Sequence, residues 1–240
     1  MNDALYDDIA EWYDKYLHEN PLYYDIVLPC LLKLIGDVQD QIVCDLACGQ
    51  GWFARELARR RATVTGIDIA DRLLALARQY EDREPQGIVY QQDDAQSASS
   101  LPNASFDGVV SVLALMDIPD LQAVFQTARR ILKSGGWLVF AITHPCFELP
   151  HARWITTDND QITRAVRGYF SEGNWKSEQG GVRSRVGAHH HTLSTYLNAL
   201  AAANFALERM MEPIATGKRA EQVPGNREVP SLLLVRAHAL

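Results

Sequence analysis

From Ile42 to Phe140 the chain alternates short apolar runs with segments whose apolar residues recur at helical spacing. That pattern predicts a parallel sheet with helices on both faces. Ile42-Val43-Cys44-Asp45 reads as a buried strand and Ala62 to Asp68 as the next. Helices are predicted over Trp52 to Arg61, Asp71 to Tyr80 and Asp120 to Leu132; in the last, Leu121, Val124, Phe125, Ala128 and Ile131 form one apolar stripe. After Phe140 the alternation breaks off, then resumes with a helix over Leu193 to Ala203 and strands over Phe205 to Met211 and Ser231 to Ala237. Two segments stand outside this core. Residues 1–36 carry Leu5, Ile9, Trp12, Tyr13, Tyr16 and Leu17, then a second predicted helix after Pro21, and read as a helical cap. Residues 144–190 form an insertion too long for a passive connector, expected to be a substrate lid or, failing that, an oligomer contact.

The first strand ends at Asp45 and turns through Ala47, Gly49 and Gly51 into the helix beginning at Trp52. Glycines without a Cβ let a ligand approach the backbone, and a helix N-terminus offers unpaired N–H groups, so the turn suits a nucleotide-like cofactor. The order of small residues departs from the dinucleotide fingerprint, and the bulky pair Trp52-Phe53 stands where a pyrophosphate would need room. At the end of the second strand, Asp68 is suited to accept hydrogen bonds from two ribose hydroxyls.

The series Asp45, Gly49-x-Gly51, Asp68 resembles the first motifs of class I S-adenosylmethionine-dependent methyltransferases. The resemblance continues through Gln91-Gln92-Asp93-Asp94-Ala95 after the third strand, Leu101 to Val110 approaching the fourth, and Leu132-Lys133-Ser134-Gly135-Gly136 turning into the fifth. It covers roughly residues 40–143. An amino-terminal stretch, Tyr6-Asp7-Asp8-Ile9-Ala10-Glu11-Trp12-Tyr13-Asp14, is similar to one that lies across the cofactor mouth in that family. The resemblance implies a Rossmann-like α/β sheet of seven strands, mostly parallel with an antiparallel C-terminal strand, helices on both faces, and one domain over 1–240. It implies S-adenosylmethionine as cofactor, with the glycine turn on the methionine part, Asp68 on the ribose and Asp94 on the adenine amino group. The implied cofactor set is Asp45, Ala47, Gly49, Gly51, Asp68, Ile69, Asp94, Ala95 and Leu113. Ala47 stands where the family usually has glycine.

Composition narrows the acceptor. With 23 Lys and Arg against 30 Asp and Glu, the net charge is -7 and the basic residues are dispersed, which disfavours nucleic acid and favours a small-molecule methyl acceptor. No apolar stretch approaches a membrane span and the acidic N-terminus is unlike a signal peptide, so a cytoplasmic protein is expected. Cys30, Cys44, Cys48 and Cys146 lack paired metal spacing, and adjacent histidines at 189–191 point different ways, so no metal is expected. A homodimer remains an allowed partner.

Methyl transfer needs an aligned nucleophile and, for a protonated acceptor, a base. His144, directly after the fifth strand, is the candidate base, or else a histidine that shapes the turn before Pro145. Tyr13 is the candidate cap residue facing the reaction; Trp12, Tyr169, Trp175 and His190 are candidates for the substrate pocket, or else members of packing stripes. The readings left open are a small-molecule O-, N- or C-methyltransferase, a non-catalytic cofactor- or partner-binding relative, and a nicotinamide-dependent oxidoreductase, the last lacking support at the glycine turn.

Overall fold

The computed structural model describes residues 5–157, 161–178 and 180–240. A short 3-10 turn, Asp7–Ile9, leads into α1 (Ala10–Glu19), and a π-helical stretch, Leu22–Val27, runs into α2 (Leu28–Ile35), which Gly36 ends with φ +69°. The alternating core follows as β1 (Ile42–Leu46), α3 (Trp52–Arg59), β2 (Thr63–Asp68), α4 (Asp71–Arg83), β3 (Val89–Gln92), β4 (Phe106–Val112), α5 (Leu121–Ile131) and β5 (Leu132–Thr143). The insertion holds β6 (Arg153–Thr156), β7 (Ile162–Ala165), β8 (Gly173–Trp175), α6 (Val182–Arg185) and β9 (Ala188–His190). The chain closes with α7 (Leu193–Ala202), β10 (Phe205–Met211), α8 (Gly217–Gln222) and β11 (Leu232–Ala239).

Seven strands make one sheet in the order β10-β11-β5-β4-β1-β2-β3. All neighbours from β3 to β5 pair in parallel, and β11 alone runs antiparallel, hydrogen-bonded to β5 on one side and β10 on the other. The chain moves outward from β1 to β2 and β3, then returns to β4 and proceeds the opposite way to β5. Right-handed crossovers therefore place α3 and α4 on one face and α5 on the other, and leave a crevice where the order reverses, between the carboxyl ends of β1 and β4.

Local chemistry explains the element ends. Asp120 caps α5 by accepting from the Ala123 N–H at 3.0 Å, and Thr192 caps α7 by accepting from the Thr195 N–H at 3.2 Å. β3 continues through Gln92, one of the residues expected beyond it, because its pairing with β2 extends to Gln92 opposite Asp68. β5 pairs Leu132 with Phe106, then bulges over the glycines so that Trp137 lies opposite Gly108. The insertion folds as two separate antiparallel ribbons, β6–β7 and β8–β9.

Gly108 is required by that last contact. A Cβ built there would stand 2.1 Å from the Trp137 ring, which is buried and anchored by Nε1–H donating to Gln41 Oε1 at 2.9 Å. Gly108→Ala is expected to lower stability by about 1–3 kcal/mol through overpacking. A urea titration showing an unchanged midpoint would mean that Trp137 is free to move aside.

Candidate functional site

The glycine turn lies at the reversal point of the sheet. Ala47 (φ +61°), Gly49 (φ +56°) and Gly51 (φ +72°) are all left-handed, so the chain leaves β1 on a path that L-residues resist. The turn is tied to β2: the Cys48 N–H donates to the Ile67 carbonyl at 2.9 Å, and the Gly49 N–H to Asp68 Oδ2 at 2.7 Å. The other Asp68 oxygen accepts from the Ala70 N–H at 2.9 Å. One carboxylate thus orients both the glycine turn and the entry to α4.

The two glycines serve different ends. Gly49 has open space apart from an ordinary contact with Leu73, so its positive φ is the constraint. Gly51 lies under Tyr90, whose hydroxyl would be 2.2 Å from an added Cβ, so here close packing also excludes a side chain. A second strained position faces the turn: Leu113, just beyond β4, has φ +55° and is held by its N–H donating to Ala141 O at 2.8 Å. A non-glycine residue in this region costs of order 1–3 kcal/mol and persists where the surroundings over-determine it, commonly at functional sites.

A cavity of about 630 Å³ opens over this turn. One end is walled by Ala47, Gly49, Asp68, Ile69, Asp94, Ala95 and Leu113. The Asp94 carboxylate is fixed by its own loop, Oδ1 accepting from the Gln96 N–H at 2.9 Å and Oδ2 from Gln96 Nε2 at 3.0 Å. Aromatic surface from Tyr6, Tyr13, Trp52 and Trp175 flanks the middle. The far end is made by Asp117 and Ile118 after β4, and by Asn174, Lys176, Gly187 and His189 from the β8–β9 ribbon.

A methyltransferase-domain family model matches residues 44–140, the stretch from β1 to β5. The chain is 32% identical to an S-adenosylmethionine-dependent methyltransferase from Mesorhizobium loti; the structures agree with a TM-score of 0.76 over 88% of this chain and 96% of that one. The chain belongs to the S-adenosylmethionine-dependent methyltransferases. It is also 31% identical over 136 residues to a ubiquinone biosynthesis O-methyltransferase from Nitrosomonas europaea, a match spanning 54% of this chain and only 56% of that relative's length. An uncharacterized protein from Haemophilus influenzae is 27% identical over 249 residues, covering 96% of this chain and 94% of its own.

Within this methyltransferase the expected residues divide sharply. Ala47, Gly49, Asp68, Ile69, Asp94, Ala95, Leu113, Tyr13 and Trp175 all line the cavity. Asp45 and Gly51 lie behind it: Asp45 is 1% exposed, and Gly51 packs against Tyr90. His144 is a correction. It is 2% exposed and does not line the cavity; Nε2 contacts Glu212 Oε1 at 2.7 Å, while Nδ1 accepts from the Cys146 N–H at 3.2 Å. The second contact places the proton on Nε2, and burial lowers the ring's pKa, so His144 shapes the turn before Pro145. His190 and Tyr169 are likewise withdrawn: His190 Nε2–H donates to Tyr169 O at 2.8 Å, and the Tyr169 hydroxyl accepts from the Leu193 N–H at the start of α7 at 2.9 Å. Trp12 stacks on Tyr16 at 5.2 Å with the Arg185 guanidinium 4.1 Å from its own ring, outside the cavity wall.

Four residues at this end, Tyr6, Asp117, Arg183 and His189, were not among the expected site residues. Tyr6 donates to Asp117 Oδ2 at 3.1 Å, and Arg183 of α6 pairs with Asp117 Oδ1 while donating to Gly187 O at 3.0 Å. Asp117 therefore clasps the amino-terminal cap and the insertion together at the cavity wall. His189, on the same wall, is the fourth. Only the Tyr6 segment carried a prior signal, through its cap motif.

Burial sets the electrostatics. It pushes Asp45 up to about 7, assisted by the nearby Asp68 charge, and Asp68 up to about 6 against the opposing N–H groups of Ala70 and Gly49. Both groups keep their proton to higher pH in the folded, ligand-free protein than in the unfolded chain, where they ionise near pH 4. The folded state binds more protons across that interval, so their contribution is fully present below about pH 4 and lost as pH rises toward 7. Thermal unfolding of ligand-free protein should show this decline, and Asp45→Asn should flatten it. An identical pH dependence in that variant would rule out Asp45 as its source.

Proposed function

We propose that the protein transfers the methyl group of S-adenosylmethionine to a small-molecule O, N or C nucleophile bound between the glycine turn and the β8–β9 ribbon. The observation carrying this reading is the single cavity that runs from Asp68 and Asp94 to Asn174, Trp175 and His189. Its volume of about 630 Å³ lies within the range of small-molecule sites, and its aromatic lining with few polar groups fits a compact organic acceptor. The net charge of -7 further favours a small acceptor over nucleic acid.

In this reading Asp68 accepts from the ribose hydroxyls with the lone pairs left by Gly49 and Ala70, and Asp94 receives the adenine amino group. The left-handed backbone at Ala47 and Gly49 lets the methionine part approach, while Ile69, Ala95 and Leu113 supply apolar walls. The bound cofactor supplies an electrophilic sulfonium methyl; the protein aligns the acceptor and excludes water. Tyr13 contributes its ring face and a neutral hydroxyl, since burial raises its pKa; that hydroxyl pairs with the Tyr23 hydroxyl at 3.4 Å. The role of substrate lid narrows to β8–β9, because the β6–β7 ribbon packs its Trp154 against Gly225 instead. All four cysteines are free, which supports a reducing, cytoplasmic setting. Among the described residues no helix is long and apolar enough to cross a membrane.

Native mass spectrometry should find S-adenosylmethionine or its demethylated product retained by the protein, and labelled methyl donor should mark a small molecule in a metabolite extract. Retention without any transfer would favour the non-catalytic reading.

Calorimetry with S-adenosylhomocysteine should show Asp94→Ala weakening affinity at least about tenfold, the scale of one charge-assisted hydrogen bond of about 1.5–3 kcal/mol. Trp175→Ala should leave that affinity within about threefold while reducing turnover of an identified acceptor, because remote alignment matters to the reaction more than to cofactor binding. The opposite pattern would reassign Trp175 to the cofactor end.

A further inference from the structure

The histidines of this chain are not equivalent. His144 and His190 spend ring nitrogens on Glu212, the Cys146 N–H and the Tyr169 carbonyl, and both are buried outside the main cavity. His191 stacks parallel to His189 at 6.2 Å and turns its edge to Tyr196. His189 differs from all three. It lines the cavity beside Trp175 and Gly187, is half-buried, and among the described residues neither ring nitrogen makes a hydrogen bond. A partly desolvated imidazole with unspent nitrogens on a cavity wall has a group on a bound ligand as its available partner.

We propose that His189 is the general base of this enzyme and that the acceptor is a flat compound carrying a phenol-type hydroxyl. The proposal rests on the methyl-transfer reading and goes beyond it by naming the acceptor class and the proton's destination. A hydroxyl is the acceptor that gains most from a base, because its neutral oxygen is a weak nucleophile and its oxyanion a strong one. The aromatic faces of Tyr6, Tyr13, Trp52 and Trp175 give a planar ring a complementary wall.

The charged and titratable groups around His189 suit this role. Burial lowers the pKa of its ring, so the imidazole is neutral near pH 7 and able to accept; Asp117 acts in the opposite sense and stabilises the imidazolium once it forms. Asp117 is itself held by Tyr6 and by Arg183, whose charge moderates its effect. Lys176 on the cavity wall and the neighbouring His191, also lowered by burial, complete the set. The step balances: the hydroxyl proton passes to a His189 nitrogen and the oxygen forms a bond to the methyl carbon. The carbon–sulfur bond breaks with its electron pair returning to sulfur. The products are a methyl ether, S-adenosylhomocysteine and protonated His189, which then releases its proton to solvent.

The test uses 4-nitrocatechol, whose phenolate is coloured, titrated with the S-adenosylhomocysteine-loaded protein across a pH series. The bound probe should ionise at a pH lower than in free solution by at least about one unit, the scale expected of a neighbouring neutral imidazole. His189→Gln, which keeps a polar side chain of similar reach, should abolish that shift while S-adenosylhomocysteine affinity stays within twofold, showing that the fold and cofactor end are intact. A shift that persists in His189→Gln, or the absence of any bound-phenolate band in the parent protein, overturns the proposal. Failure of the parent protein to bind S-adenosylhomocysteine in the preceding step would instead overturn the methyl-transfer reading on which it rests.

Discussion

The Asp68 carboxylate is the constraint around which the cofactor end is assembled. Its two oxygens draw in the Gly49 and Ala70 N–H groups, joining the turn after β1 to the turn after β2 across neighbouring parallel strands. That bridge acts with the Cys48 N–H bond to Ile67 O to hold the alternate positions Ala47, Gly49 and Gly51 in left-handed geometry. The carboxylate is buried to do this, and the resulting rise in its pKa shows how far desolvation outweighs the two donated hydrogen bonds. Lone pairs not used by the backbone remain on the cavity wall, so the group that orders the turns also lines the cavity.

Strain is distributed on both sides of the crevice. Ala47 and Leu113 both carry a Cβ in a region that favours glycine, one after β1 and one after β4, the two strands between which the chain reverses its direction across the sheet. The packed sheet beneath them makes this tolerable: β1 is buried after its first residue, β4 and β5 are buried through their middles, and Phe125 and Phe140 meet at 5.5 Å behind them. A rigid core thus fixes two short segments whose backbones face the cavity, in keeping with function grafted onto loops of a stable scaffold.

The far end of the cavity is built by a different means. Asp117 receives Tyr6 from the cap and Arg183 from the insertion, so two segments distant in sequence meet on one carboxylate. Arg185 over Trp12 adds a second tie between the same pair of segments. The β6–β7 ribbon, in contrast, leans on the loop before β11 through Trp154 and Gly225 and takes no part in the wall. Among the described residues of the insertion, those lining the cavity come from its second half.

The sequence by itself determined the alternation of strands and helices from β1 to β5 and the glycine turn, because these follow from local periodicity and from small and acidic residues at short fixed spacing, while the seven-stranded sheet with its antiparallel end followed from the family resemblance. Local spacing singled out Ala47, Gly49 and Asp68, and the resemblance added Asp94; all four line the cavity. The acceptor end was not. Asp117 joins Tyr6 across 111 positions and Arg183 across 66, and no local pattern encodes such meetings. Position after β5 made His144 look exposed to ligand, yet Glu212, 68 residues away, draws its ring out of the cavity, while His189 is turned in by β8–β9 pairing of Asn174 with it. Which imidazole faces the ligand depends on long-range packing and strand register, and only the tertiary structure decides those.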